Sequence, residues 1–250
     1  MLEIIPSSPK KSLTIKVPGS KSYTNRALLL AALAKGTSRL KNPLYSEDTL
    51  AMIKALRQLG VKISRKTDHL TVEGQNGNFK VPGNSILNLE NAGTAVRSLT
   101  AVMASQNFKS VITGNTRMQK RPIIDLVQAL QKLNVKITAK NDCPPVTING
   151  KGLKGGRTVV KGDISSQYLS ALLMAAPLAE NEVIIDVKGD LASKPYIEMT
   201  LDIMRHFGVK VTNNNFKSFK IKPQSYKATN YPIERDASSA SYPLALAAIH

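Results

Sequence analysis

The sequence has no tryptophan, one cysteine, three histidines and only 5% aromatic residues, and each shortage removes a class of function. A single thiol, Cys143, excludes an internal disulfide and a thiolate metal cage. His69, His206 and His250 show no ligand spacing, so neither a metal nor another cofactor is expected. So few aromatic rings leave little on which to stack bases, which argues against a nucleic-acid partner. Long apolar runs are missing too: a stretch such as Ala27 to Ala34 is too short to cross a bilayer. The N-terminus, Met1 to Lys11, contains Glu3, two prolines and two lysines and no apolar core, unlike a secretory signal. A cytoplasmic protein with no membrane partner is expected.

What the chain has in excess is positive charge. Thirty-five Lys and Arg against 17 Asp and Glu give a net charge of +18. The basic residues are spread along the whole chain, so most are read as solvated surface. The partner that such a balance still admits is a small, multiply anionic substrate.

A long internal repeat organises the 250 residues. The segments LRQLGVKI (Leu56 to Ile63), LQKLNVKI (Leu130 to Ile137) and MRHFGVKV (Met204 to Val211) match position by position, and their turn residues Gly60, Asn134 and Gly208 are 74 residues apart. Each copy reads as the end of an amphipathic helix, a residue that tolerates the left-handed conformation, and an alternating strand. Tracing the elements backwards from each cap predicts an α/β fold of three similar βαβαββ units, at about 20–84, 85–155 and 156–231.

The first helices of the units are expected at Thr24 to Lys35, Gly93 to Ser105 and Ser165 to Leu178. The second helices are expected at Ser46 to Leu59, Pro122 to Leu133 and Lys194 to Phe207. Pro122 and Pro195 then fall in a first turn, where proline is accepted. Because the first helices are apolar nearly all round, they should form the buried centre. A strand at Tyr231 to Glu234 and a further apolar helix from Asp236 to Ile249 begin a unit that the chain does not continue, so 232–250 reads as the start of a truncated second domain.

Small polar or glycine-containing residues precede each first helix: Pro18-Gly19-Ser20-Lys21-Ser22, Asn91-Ala92-Gly93-Thr94, Asp163-Ile164-Ser165-Ser166-Gln167 and Asp236-Ala237-Ser238-Ser239. Ordinary N-capping accounts for such residues. Alternatively, several positive helix starts converge on one cavity and bind phosphates and carboxylates. Lys21 at a helix entrance and Arg26 about one turn further along favour convergence, since a guanidinium grips a carboxylate with two bonds. Arg117, Lys120 and Arg121 add a basic turn before the next helix.

The blocks PGSKSYTNRALLLAALAKG, NAGTAVRSL, RMQKRPI, SSQYLSALLMAAPLA, SKPYIEMTL and DASSASY, in this order, resemble those of the 5-enolpyruvylshikimate-3-phosphate synthase family of enolpyruvyl transferases. The resemblance implies an inverted-repeat fold of two three-unit domains with the active site between them, residues 1–19 being a strand of the other, mostly absent domain. It also implies transfer of the enolpyruvyl group of phosphoenolpyruvate to the 5-hydroxyl of shikimate 3-phosphate, without metal or organic cofactor. Carried over motif by motif, Lys21 would touch both substrates at the reacting centre. Ser22 and Arg26 would hold the shikimate carboxylate, Ser165, Ser166 and Ser193 its phosphate, and Tyr196 its ring. Asn91, Gly93, Arg121 and Gln167 would receive phosphoenolpyruvate, Gln167 near the junction of the substrates.

Two departures flank that loop: Ser98 stands where the family usually has proline, and Glu90 where glycine is common. An altered response to the inhibitor glyphosate is therefore expected. The family's catalytic aspartate, glutamate and lysine lie in the second domain, so this chain alone should be inactive and should need the missing C-terminal half. The related transferase family acting on UDP-N-acetylglucosamine uses a reactive cysteine in a mobile loop, whereas Cys143 reads as an inert residue in a connection. A noncatalytic anion-binding half-protein is the remaining alternative.

Overall fold

A computed structural model describes residues 14–80 and 85–249. In chain order the helices are α1 (Lys21–Leu33), α2 (Glu47–Gln58), α3 (Gly93–Met103), α4 (Ile124–Gln131), α5 (Ser166–Ala175), α6 (Lys194–His206) and α7 (Ala237–Ile249). The strands are β1 (Lys35–Lys41), β2 (Lys62–Arg65), β3 (His69–Gln75), β4 (Ser85–Asn88), β5 (Lys109–Thr113), β6 (Lys136–Lys140), β7 (Cys143–Asn149), β8 (Gly156–Lys161), β9 (Val183–Lys188), β10 (Thr212–Asn214), β11 (Ser218–Ile221) and β12 (Asn230–Pro232).

They form three four-stranded sheets ordered β12-β1-β3-β2, β4-β5-β7-β6 and β10-β11-β9-β8. In each sheet one pair is parallel, β12 with β1, β4 with β5 and β8 with β9, and the other pairs are antiparallel. The repeat read from the sequence is thus a repeat of sheets. Its first copy holds a surprise, because the opening strand comes from β12 near the far end of the chain and not from the N-terminus. Of the expected strand over 1–19, residues 1–13 lie outside the described part and Thr14 to Pro18 carry no strand. Gly19 makes one isolated antiparallel bridge, to Arg235.

The three caps adopt one geometry. Gly60, Asn134 and Gly208 have φ of +84°, +62° and +82°. Each following amide reaches back to close the same loop: Val61 to the Leu56 carbonyl at 3.0 Å, Val135 to Leu130 at 3.2 Å, and Val209 to Met204 at 3.0 Å. This satisfies carbonyls that a helix end leaves open, and glycine and asparagine tolerate the left-handed backbone that it requires.

The first helices lie at the centre as their composition predicts. From Thr24 to Leu33 every residue of α1 is buried, as are nearly all of α3 and all of α5 from Tyr168 onward. α2, α4 and α6 bury one side only, and strands such as β4 and β7 alternate inward and outward residues. That alternation marks sheets with one face on a core and one in water. α7 buries none of its residues.

Two expectations need correction. Pro122 is not in the first turn of α4, which starts two residues later. Arg121 is extended ahead of the proline, as the pyrrolidine ring demands of its predecessor, and the Ile123 amide is tied to the Asp142 carbonyl at 2.9 Å. Cys143 lies in no connection but opens β7. Pro195, by contrast, does sit in the first turn of α6.

Candidate functional site: a polar cavity at converging helix starts

Five of the residues named from sequence line one cavity of about 220 Å³: Lys21 from α1, Asn91 and Gly93 at the start of α3, Arg121 before α4, and Gln167 from α5. Asp48 and Thr94 complete its wall. The sequence pattern brings these together because α1, α3 and α5 are equivalent elements of three units around one centre.

Simple capping does not explain the helix starts. No side chain caps α1 or α3. Of the four starts read from the motifs, α5 and α7 are served, through Ser165 Oγ accepting from the Gln167 amide at 3.2 Å and Asp236 Oδ2 accepting from the Ser239 amide at 3.2 Å. The first amides of α1 and α3 therefore stay available, with the positive ends of both helices beside the cavity.

Lys21 Nζ pairs with Asp48 Oδ2 at 3.0 Å. The Arg121 guanidinium packs on Gly93, where an added Cβ would meet both terminal nitrogens at 2.9 Å. A second cavity of about 310 Å³ shares Asp48 and Asn91 with the first and is lined also by Glu47 and Glu90, so it carries acidic groups where the first carries Lys21 and Arg121. Glu90 has φ +50°. For a residue with a Cβ that conformation costs about 1–2 kcal/mol, which accounts for glycine being common there in the family that the motifs resemble.

Arg26 is 2% exposed and, among the described residues, has no carboxylate partner. Its Nε donates to Thr200 Oγ1 at 2.8 Å, Nη1 to the Ser22 carbonyl at 3.1 Å and Nη2 to Ser170 Oγ at 3.3 Å. A guanidinium has five N–H donors, so two remain. Burial pushes its pKa down to about 10, because desolvation disfavours the charged form. Ser22, Ser165, Ser166, Ser193 and Tyr196 do not line the cavity. They stand at the starts of α1, α5 and α6, and Tyr196 is joined to the Arg26 network through its carbonyl, which accepts from Thr200 Oγ1 at 2.7 Å.

The motif reading passes over Asp48, Arg97, Ser170 and Thr200. Asp48 looks like any acid in a first helical turn, and the other three are polar residues on the core-facing sides of α3, α5 and α6. That last feature is a usable signal, since a buried polar group needs a partner. Among the described residues no group of His, Cys, Asp and Glu could hold a metal ion, and no helix is long and apolar enough to cross a membrane.

Comparison with known proteins agrees with this architecture. The chain is 49% identical over 245 residues to a 3-phosphoshikimate 1-carboxyvinyltransferase of Haemophilus influenzae (strain PittEE), covering 94% of this chain and 57% of that protein. It is 45% identical over 249 residues to the enzyme of the same name from Methanosphaera stadtmanae, covering 96% and 58%. A solved EPSP synthase from Acinetobacter baumannii superposes with a TM-score of 0.81 at 30% identity, over 91% of this chain and 51% of that one. The chain thus spans a little over half the length of the curated relatives that it matches. With the pattern of that family also matching residues 8–250, the chain belongs to the EPSP synthase (3-phosphoshikimate 1-carboxyvinyltransferase) family.

Proposed function

We propose that this chain supplies one wall of an active site that moves the enolpyruvyl group of phosphoenolpyruvate to the 5-hydroxyl of shikimate 3-phosphate, releasing phosphate through a tetrahedral intermediate. The observation that carries this reading is the gathering of Lys21, Gly93, Arg121 and Gln167 around one polar cavity beside two uncapped helix starts. Arg121 pairs with the phosphoenolpyruvate anion, Gly93 lets it approach the backbone, and Asn91 and Gln167 offer amide bonds. Lys21 leaves Asp48 to neutralise charge at the reacting centre. Arg26 takes the shikimate carboxylate with its two spare N–H groups, beside Ser22. Ser165, Ser166 and Ser193 bind the 3-phosphate and Tyr196 lies against the ring. Fixed donors of this kind stabilise developing charge without reorganising.

In the same reading, 20–231 is one three-unit domain and 232–250 begins a second. Helix α7, which buries none of its residues and leaves Tyr242 at 80% and Ile249 at 77% exposure, supports it. The opposing wall and the acid and base groups come from sequence corresponding to the relatives' remaining length. The chain acts in the cytoplasm, on small anions and not on nucleic acid.

A chimera in which the remaining length of the Haemophilus influenzae relative continues this chain tests the reading. Phosphate release should require both substrates and should vanish with Lys21→Met. A folded chimera that releases none, together with no binding of shikimate 3-phosphate to this chain by calorimetry, would reject it.

A further inference from the structure

The residue directly after Arg121 is held by two side chains remote in sequence. The Pro122 carbonyl accepts a hydrogen bond from Tyr168 Oη of α5 at 2.8 Å and another from Arg97 Nη2 of α3 at 3.0 Å. Arg97 Nη1 also reaches the Gly93 carbonyl at 3.4 Å and Met118 Sδ at 3.3 Å. One buried fork therefore touches the start of α3, the 3₁₀ turn at Met118–Lys120 and the backbone beyond it. These are the three pieces of chain that frame Gly93 and Arg121.

Packing alone gives no reason for such a residue. Arg97 is 4% exposed and makes no ion pair among the described residues, and a buried cation without a counter-ion opposes folding. Burial lowers its pKa, and the nearby Arg121 lowers it further. Two of its bonds, however, to Met118 Sδ and the Pro122 carbonyl, restrict the loop that carries Arg121, while the third ties the same fork to the start of α3.

We infer that Arg97 and Tyr168 are positioning residues, a clamp that fixes the Arg121 backbone against Gly93 so that the guanidinium stands at the cavity before an anion arrives. The inference rests on the reading of that cavity as the phosphoenolpyruvate site. Holding a charged donor in place beforehand removes an ordering cost from the binding step.

Tyr168→Phe deletes one hydroxyl, and Arg97→Lys keeps the charge but loses the fork. The Arg121 Nε–Hε group is followed by ¹⁵N relaxation in the free chain, and phosphoenolpyruvate binding is measured by calorimetry, the latter with Arg121 and with Arg121→Ala. The clamp predicts a more mobile Arg121 in both variants. It also predicts affinity about threefold weaker for Tyr168→Phe when Arg121 is present, the loss of one hydrogen bond, and no further loss when Arg121 is alanine. An unchanged Arg121 signal, or equal losses in both backgrounds, would overturn it. If the unsubstituted chain bound no phosphoenolpyruvate, the functional reading would fail, and the relaxation data alone would decide for or against the clamp.

Discussion

The guanidinium of Arg121 occupies the space that a side chain on Gly93 would need, with both terminal nitrogens 2.9 Å from the site of an added Cβ. Gly93 opens α3 without a left-handed backbone, so alanine there is conformationally acceptable. What must move is the tip of a long side chain. Gly93→Ala should therefore leave the unfolding midpoint unchanged while weakening phosphoenolpyruvate binding by about threefold or more, since a displaced anion partner no longer meets its target. Calorimetry beside thermal melting checks this, and undiminished affinity would show that Arg121 does not bind from where it now rests.

Lys21 and Asp48 face each other at 3.0 Å with side chains 52% and 25% exposed. An ion pair this open contributes at most about 1 kcal/mol to stability. Its larger effect is on the cavity, where the carboxylate competes with any incoming anion for Lys21. Asp48→Asn should raise phosphate and phosphoenolpyruvate affinity about threefold at low ionic strength, with the gain fading in roughly 0.5 M salt as screening shortens the reach of the charge. Titration at two salt concentrations separates this from a fold defect, which would weaken binding in both.

Arg26 is the costly residue. Thr200 Oγ1 and Ser170 Oγ already bond each other at 3.0 Å, and Thr200 also donates to the Tyr196 carbonyl at 2.7 Å, so both keep partners if the guanidinium goes. Replacing a buried unpaired cation by an apolar chain of similar length should stabilise the free protein by about 1–3 kcal/mol, while carboxylate binding is lost. The sign with pH follows from the folded pKa of about 10, lowered from the ordinary guanidinium value. Below about pH 10 the folded protein holds the full cost of the charge, and above it the proton leaves the folded state first, so the native protein gains stability as pH rises. The advantage of Arg26→Met in urea unfolding should be constant from pH 7 to 9 and shrink above 10; destabilisation at pH 7 would contradict the argument.

How much of this was legible beforehand depends on whether a residue's role is local. Gly60, Asn134 and Gly208 declare themselves because a helix end needs a left-handed residue there whatever else the fold does. The central helices declare themselves by having no polar face, Lys21, Gly93 and Gln167 by standing at those helices' starts, and Arg121 by closing a basic turn ahead of α4. The strand near Tyr231 was legible as a strand but not its place: read as the start of a further unit, it belongs to the first sheet, and only its pairing with Arg39 to Lys41 shows this. Asp48 and Arg97 were equally hidden: one matters through a lysine on another helix and the other through a carbonyl 25 residues away.

The three caps share a backbone but not surroundings. A Cβ at Gly60 would lie 2.8 Å from the Lys80 carbonyl oxygen, which is backbone, whereas at Gly208 it would meet only the side chain of Lys227, at 3.1 Å. Asn134 shows that asparagine suits the conformation itself. Gly208→Asn should then change stability by no more than about 0.5 kcal/mol, and Gly60→Asn should cost about 1–3 kcal/mol through the collision. Urea midpoints of the pair decide it, and equal values would mean that cap strain and not crowding sets the limit.

Ser98 lies inside α3, 3% exposed, with Oγ donating to the Thr94 carbonyl at 2.8 Å. Proline at this position would remove both the hydroxyl and the amide that a helix directs at that carbonyl, and its ring would crowd the same oxygen. The strain falls on the turn holding Gly93 and Thr94, which line the cavity, so the substitution reaches the anion site without touching it. Ser98→Pro in the chimera should lower stability by up to about 3 kcal/mol and shift inhibition by glyphosate. An unchanged inhibition constant with the expected loss of stability would show that the first turn of α3 absorbs the strain without moving the cavity wall.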